Sequence, residues 1–244
     1  IFFTRYLPEL QKRGAKVSLF LTPKWLSISK RSFPEMEAYP RDDLKNVRSD
    51  LSLMLGDLPY SLQNFKMKGP VPLKSDEAWI DKVSKQLKSF GPPPYIGLTW
   101  KSGKIEGDIF LKNFPLKFYI EGLKHFKGTL VLLQRFLTPE DAGIIKEAYS
   151  GSLMDASQYS ENLEAMMAMM HLIDDYISVS NTNLFLRPPG KKMKVVKTDF
   201  NDWRLEGDVW FPDIQVYALD SDKNQTVIGM KILDDIYKEY PNAF

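Results

Sequence analysis

Cysteine is absent from all 244 residues, which excludes disulfides, thiolate metal sites and cysteine nucleophiles together. Histidine is nearly as scarce. His125 and His171 are the two that exist, thin equipment for acid–base chemistry or metal ligation. No run approaches the ~18–20 apolar residues that a membrane-spanning helix needs. Charge of one sign is missing too. Lys+Arg 33 against Asp+Glu 31 leaves a net +2, which argues against a nucleic-acid-binding surface. There is no internal repeat and no low-complexity tract. What remains is a globular composition, 43% hydrophobic and 26% charged, over a length that suits one or two domains. Such a chain buries a core without metal or disulfide staples. Lack of cysteine fits a reducing compartment, so the expected location is cytoplasmic.

The chain opens inside an apolar pattern. Phe3, Leu7 and Leu10 recur at helical spacing, and Gly14 stands where a helix C-cap belongs. Lys16 to Leu21 then reads as a strand, ended by Thr22-Pro23. Helix followed by strand is the second half of a βαβ unit, so the expectation is an N-terminal domain without its first strand.

Residues 24–74 read as irregular, punctuated by prolines at 34, 40, 59, 70 and 72, with a short helix near 57–64. A clearer helix starts near Ser75, with Ala78, Trp79, Val83 and Leu87 as its apolar stripe. Gly91-Pro92-Pro93-Pro94 stops it and marks the expected domain boundary. The expected division is a partial N-terminal domain over 1–90, a second domain over 94–226 and a closing helix over 227–244. Within 94–226, strands are expected at 95–100, 128–134, 176–179 and 193–196. Helices are expected at 115–126, from Thr138 to Tyr149 and along the Leu163–Met170 face. This alternation predicts an α/β fold with a parallel sheet covered on both faces.

Three expected strand ends carry polar groups: Thr99-Trp100-Lys101-Ser102-Gly103, Gln134-Arg135 and Ser180-Asn181-Thr182-Asn183. Ligands of open α/β sheets sit at such carboxyl ends. Hydroxyls, amides and free backbone N–H groups there suit an anion such as phosphate. The plainer reading is that Ser, Asn and Thr cap a helix.

Gly97-Leu98-Thr99-Trp100, Leu132-Leu133-Gln134 and Ile177 to Thr182 resemble successive blocks of a bacterial glycosyltransferase-like domain. It is related to heptosyltransferases (glycosyltransferase family 9) and to the domain found behind tetratricopeptide repeats. Asp202-Trp203-Arg204, followed by Val209-Trp210-Phe211-Pro212, resembles that family's D-W-R-W and P-W-Y-P stretch. At the front, Phe3 to Pro8, Leu10 and Gly14 to Val17 resemble its first helix and second strand. The resemblance implies a GT-B architecture, two Rossmann-like domains facing a cleft, with a nucleotide-sugar held mainly by the C-terminal one. It implies that Ser180, Asn181 and Thr182 lie at the donor diphosphate, and that Trp100 and Gln134 line the same cleft. Lys112 matches a basic position that neutralises phosphate charge; the alternative is a solvated surface lysine. The implied activity is metal-independent hexosyl or heptosyl transfer to a glycan or protein acceptor, with no cofactor and with a repeat domain as upstream partner.

The departures define two competing readings. Phe185 stands where the family has histidine, and Leu186-Arg187-Pro188-Pro189-Gly190 replaces an alanine- and glycine-rich helix. The family's glycine–aspartate loop, whose acid serves as base, would fall just before Ile1, so no catalytic residue is assigned. One competitor is a catalytically weakened domain that binds nucleotide, sugar or a protein partner. The other is a purely structural domain. Asp220-Ser221-Asp222 has a metal-binding D-x-D form but reads as a polar turn, and no metal is expected. Asn224-Gln225-Thr226 fits an N-glycosylation pattern that matters only in a secretory compartment. The Met166–Met170 cluster reads as core filling, His171 as a structural histidine and His125 as a solvated helix end. Lys191, Lys192 and Lys194 read as a solvated loop.

Overall fold

The computed structural model describes residues 1–64, 69, 71–102, 112–198, 202, 205, 214–219 and 224–244. Most of the expected 202–212 block, namely residues 203–204 and 206–212, lies outside them, as do Gly103 and the Asp220–Asp222 triplet.

The N-terminal part begins with a 3-10 turn over Phe2–Tyr6 that runs into helix α1, Leu7–Lys12. Gly14, with φ +80°, reverses the chain. Strand β1, Ser18–Leu21, pairs in parallel with β2, Glu37–Pro40, through the crossover helix α2, Leu26–Ser32. Helix α3, Leu58–Ser61, follows. The segment read as irregular thus holds α2 and β2. Both are short, and Ile28 and Ala38 anchor them while polar neighbours dilute the periodicity.

Helix α4 spans Glu77–Phe90 and is capped by the carboxylate of Asp76, which accepts from the backbone N–H groups of Ala78 and Trp79. The remaining elements are β3 (Tyr95–Thr99), β4 (Lys101–Ser102), β5 (Lys112–Asn113), α5 (Leu116–Gly122), β6 (Thr129–Leu132), α6 (Pro139–Ala148), β7 (Ser152–Asp155), α7 (Leu163–Leu172), β8 (Asp175–Val179), β9 (Lys192–Lys197), β10 (Ile214–Ala218) and α8 (Gln225–Glu239). Strands β4 and β5 form a small antiparallel pair. The edge strands β7 and β10 escaped the sequence reading, because neither is an uninterrupted apolar run.

Six strands form one parallel sheet in the order β10-β9-β8-β3-β6-β7. Counted along the chain within this sheet, the order across it is 3-2-1-4-5-6, that of a doubly wound Rossmann-type sheet. Both faces are covered. Ile96, Leu98, Leu130, Leu132, Ile177 and Val179 point to one side, packing with Ile120, Ile228 and Ile232 of α5 and α8. Val131, Leu133, Tyr176 and Val195 point to the other, where Met166, Met167, Met169 and Met170 of α7 pack with Val83 and Leu87 of α4. Gly97 permits the close approach of this layer: a Cβ there would meet Ile173 Cδ1 at 2.7 Å and Leu133 Cδ1 at 2.9 Å. Among the described residues no helix is long and apolar enough to cross a membrane.

Candidate functional site

Strand order reverses between β3 and β8, the first and fourth strands of the sheet. A crevice opens at the carboxyl ends of such a pair. Thr99 of β3 lies opposite Ser178 of β8, so the segments that follow, from Trp100 and from Ser180, leave the sheet side by side.

A polar network ties them together inside the protein. The buried Tyr176 hydroxyl donates to Thr99 Oγ1 at 2.8 Å and accepts from Asn181 Nδ2 at 2.9 Å. Asn181 Nδ2 also reaches the Val179 carbonyl at 2.8 Å, and Asn181 Oδ1 accepts from the Asn183 backbone N–H at 2.8 Å. Burial, the largest effect, raises the Tyr176 pKa despite these bonds, so the phenol stays neutral. The Asn181 side chain is therefore spent on holding the turn. Thr182 is exposed at the start of a 3-10 turn, Thr182–Phe185, while Ser180 is buried. That single turn and the two prolines after it take the place of a full crossover helix.

The second support comes from the β6–α6 loop. Gln134 is buried, and its Oε1 accepts from the backbone N–H groups of Trp100 at 3.2 Å and Lys101 at 3.0 Å. Trp100 is fully buried, with its indole N–H donating to Asp141 Oδ1 at 3.1 Å. As placed, Trp100 and Gln134 build the wall of the crevice from behind. Asp141, 2% exposed, also receives Lys101 Nζ at 2.9 and 3.2 Å and the Thr138 hydroxyl at 2.8 Å. Thr138 in return caps α6 through its hydroxyl, which completes a capping box with Asp141. Burial is the largest effect on Asp141 and would raise its pKa. The bonds from Lys101, Thr138 and Trp100 together outweigh it and hold the carboxyl below the ordinary value.

Lys112 pairs with Asp202 Oδ2 at 3.0 Å, and this carboxylate is itself buried. The acid of the expected D-W-R stretch is thus the counter-ion of the lysine expected to meet phosphate. Because Ser102 faces Lys112 across the small hairpin, Lys101 and Lys112 put two ammonium groups near the end of β3. Phe185 is half-buried and meets Phe2 edge-on, with ring centroids 5.7 Å apart. A cavity of about 30 Å³, large enough for about two waters, lies between Phe2, Arg5, Leu73, Phe185 and Arg187. Arg187 is buried and donates to the carbonyls of Met170, Asp174 and Lys192, closing the end of α7.

One expectation is corrected outright. Lys194 is no loop residue: it lies in β9 with no exposed surface, paired with Asp175 and Glu239. Tyr176, Lys101 and Asp141 are site-supporting residues that sequence reasoning passed over. Of these, Asp141 left a signal, the T-x-x-D capping-box spacing from Thr138.

No family model matches the chain, and no curated protein matches it. A solved structure does. The crystal structure of the glycosyl transferase family 9 from Veillonella parvula DSM 2008 superposes with a TM-score of 0.63, over 99% of this chain and 93% of that one, at 12% identity. The chain has a glycosyltransferase-family-9-like fold. Identity this low carries the architecture and leaves the chemistry of this family-9-like chain to its own residues. Among those described, no group of three His, Asp or Glu side chains stands together as a set of metal ligands.

Proposed function

We propose that this chain binds the diphosphate of a nucleotide-sugar at the β3–β8 crevice and transfers the sugar to a glycan or protein acceptor without a divalent metal, in a GT-B arrangement. The observation that carries the reading is the position of the polar strand ends. Thr99–Lys101, Gln134 and Ser180–Asn183 meet at the switch point and are fastened to one another by Tyr176, Asn181 and Asp141. In this reading Ser180 and Thr182 hold the diphosphate through hydroxyl and backbone groups. Lys112 and Lys101, each already held by a buried carboxylate, supply positive charge to the departing nucleoside diphosphate. Trp100 and Gln134 keep the backbone of the crevice in place.

Titration calorimetry in metal-free buffer with uridine, guanosine, adenosine and cytidine diphosphates and their common sugar conjugates tests it. Binding is expected for at least one. Thr182→Ala and Lys112→Ala should each weaken it by about 1–3 kcal/mol, the worth of a charge-assisted hydrogen bond. No binding by any of them at millimolar concentration overturns the reading.

Phe185 favours a second reading, a cleft that binds its donor but has lost most of its turnover. A phenyl ring that packs edge-on against Phe2 neither donates a hydrogen bond nor moves a proton. Transfer or donor hydrolysis by the unmodified chain is then slow, and Phe185→His raises it. Robust turnover by the unmodified chain, with no gain from histidine, removes this second reading.

A further inference from the structure

Two residues beyond Gln134, at the carboxyl end of β6, the ring of Phe136 stands in solvent with the residue 58% exposed. It is not alone there. The Arg135 guanidinium lies 5.1 Å from the ring centroid, within cation–π range. That guanidinium is in turn fixed by Glu161 Oε1, which accepts from Arg135 Nε at 2.9 Å and Nη2 at 2.5 Å. A flat aromatic surface, backed by a delocalised cation that is itself tied down, is exposed at the rim of the crevice. Neither side chain takes part in the network that holds the crevice together.

The geometry points to Phe136, with Arg135 behind it, as the stacking platform for the base of the bound nucleotide. This inference rests on the diphosphate reading of the β3–β8 crevice and extends it to the other end of the ligand. Strand β6 is hydrogen-bonded to β3, and β3 to β8. The ends of β6 and β8 are therefore two strand spacings apart, about 10 Å. An extended nucleoside 5′-diphosphate covers such a span between its terminal phosphate, at Ser180–Thr182, and its base. The platform offers a π-face and spread positive charge, which attract any heteroaromatic ring. It holds no pattern of donors and acceptors that would read one base, so the stack tolerates both purines and pyrimidines.

Calorimetry on the full chain with three metal-free probes, inorganic pyrophosphate, uridine diphosphate and adenosine diphosphate, tests the platform. Phe136→Ala should leave pyrophosphate affinity unchanged and weaken both nucleotides about tenfold. Phe136→Trp should keep nucleotide affinity and report binding by quenching of its indole fluorescence. The melting temperature should not move in either variant, because the ring is exposed. If pyrophosphate binds and the nucleotides are indifferent to Phe136→Ala, the platform is wrong while the diphosphate site survives. If the variant weakens pyrophosphate as much as the nucleotides, the ring acts on the crevice as a whole and the platform is again overturned. If none of the three binds the unmodified chain, the diphosphate site fails and the platform falls with it.

Discussion

At the scale of single residues, the carboxylate of Asp141 carries more of the crevice than any expected contact does. It joins the indole of Trp100, the ammonium of Lys101 and the cap of α6. Alanine there strands a buried indole N–H and removes half of a capping box, so Asp141→Ala should cost about 2–4 kcal/mol in urea unfolding. Asp141→Asn keeps an acceptor and should cost less. The pH dependence has a definite sign. Because the folded pKa lies below the ordinary 3.8, the stabilisation is present above that value and is lost as pH falls through the folded one. The asparagine variant should therefore lose less stability than the unmodified chain on acidification below about pH 4; a parallel loss in both would remove Asp141 from the account. Thr138, Asp141 and Pro139 stand close in sequence, so the cap was legible. Lys101 and Trp100 lie 40 and 41 residues away from Asp141, and no local spacing announces a partner at that distance.

At the scale of elements, long-range pairing explains what the sequence showed and what it hid. Strands β3, β6, β8 and β9 are buried on both faces of the sheet and read as apolar runs. Edge strands β7 and β10 need less apolar surface and do not. The same limit misplaced Lys194, whose run Lys191-Lys192-Met193-Lys194 looks solvated while its partners lie 19 and 45 residues away. Its ammonium fastens three elements: β9, β8 through Asp175, and the last turn of α8 through Glu239. Burial, the largest effect, raises the Asp175 pKa even with Lys194 beside it. For Glu239 burial also acts upward, but the bonds and charges of Lys194 and Lys192 outweigh it and lower the pKa. Removing one partner of a buried pair leaves an uncompensated charge. Lys194→Met should thus cost about 3–5 kcal/mol, and adding Asp175→Asn should recover a large part of that loss. Full additivity of the two substitutions in a denaturation cycle would show that the pair is not coupled.

At the scale of the whole molecule, stability is distributed unevenly. The six-stranded sheet has two continuous apolar layers, one on each face. The N-terminal part has a two-stranded sheet over a small core of Tyr6, Leu7, Leu19, Phe33, Met36, Leu58 and Leu62, with Leu51, Met54 and Tyr60 left in solvent. The Gly91–Pro94 segment is the expected boundary, yet α4 ahead of it packs on α7 and buries Val83 and Leu87 in the larger core. Joining the N-terminal part to that core are Ile28, a bond from Ser27 Oγ to Glu164 at 2.6 Å, and the Arg31–Glu164 pair at 2.5 Å. Exchange of backbone amides follows such differences in buried apolar contact, because weakly packed units open without the rest. Native-state hydrogen exchange should therefore find the amides of 7–62 opening at lower free energy than those of β3, β6 and β8. Helix α4 should exchange with the slow group, which places the change in protection near residue 75, ahead of the proline segment. Glu164→Gln should widen the gap by loosening Ser27 and Arg31, and it should leave α4 protected. Equal protection across 7–62 and the central strands would mean that the small core opens only when the large one does, and the two parts would then be a single cooperative unit.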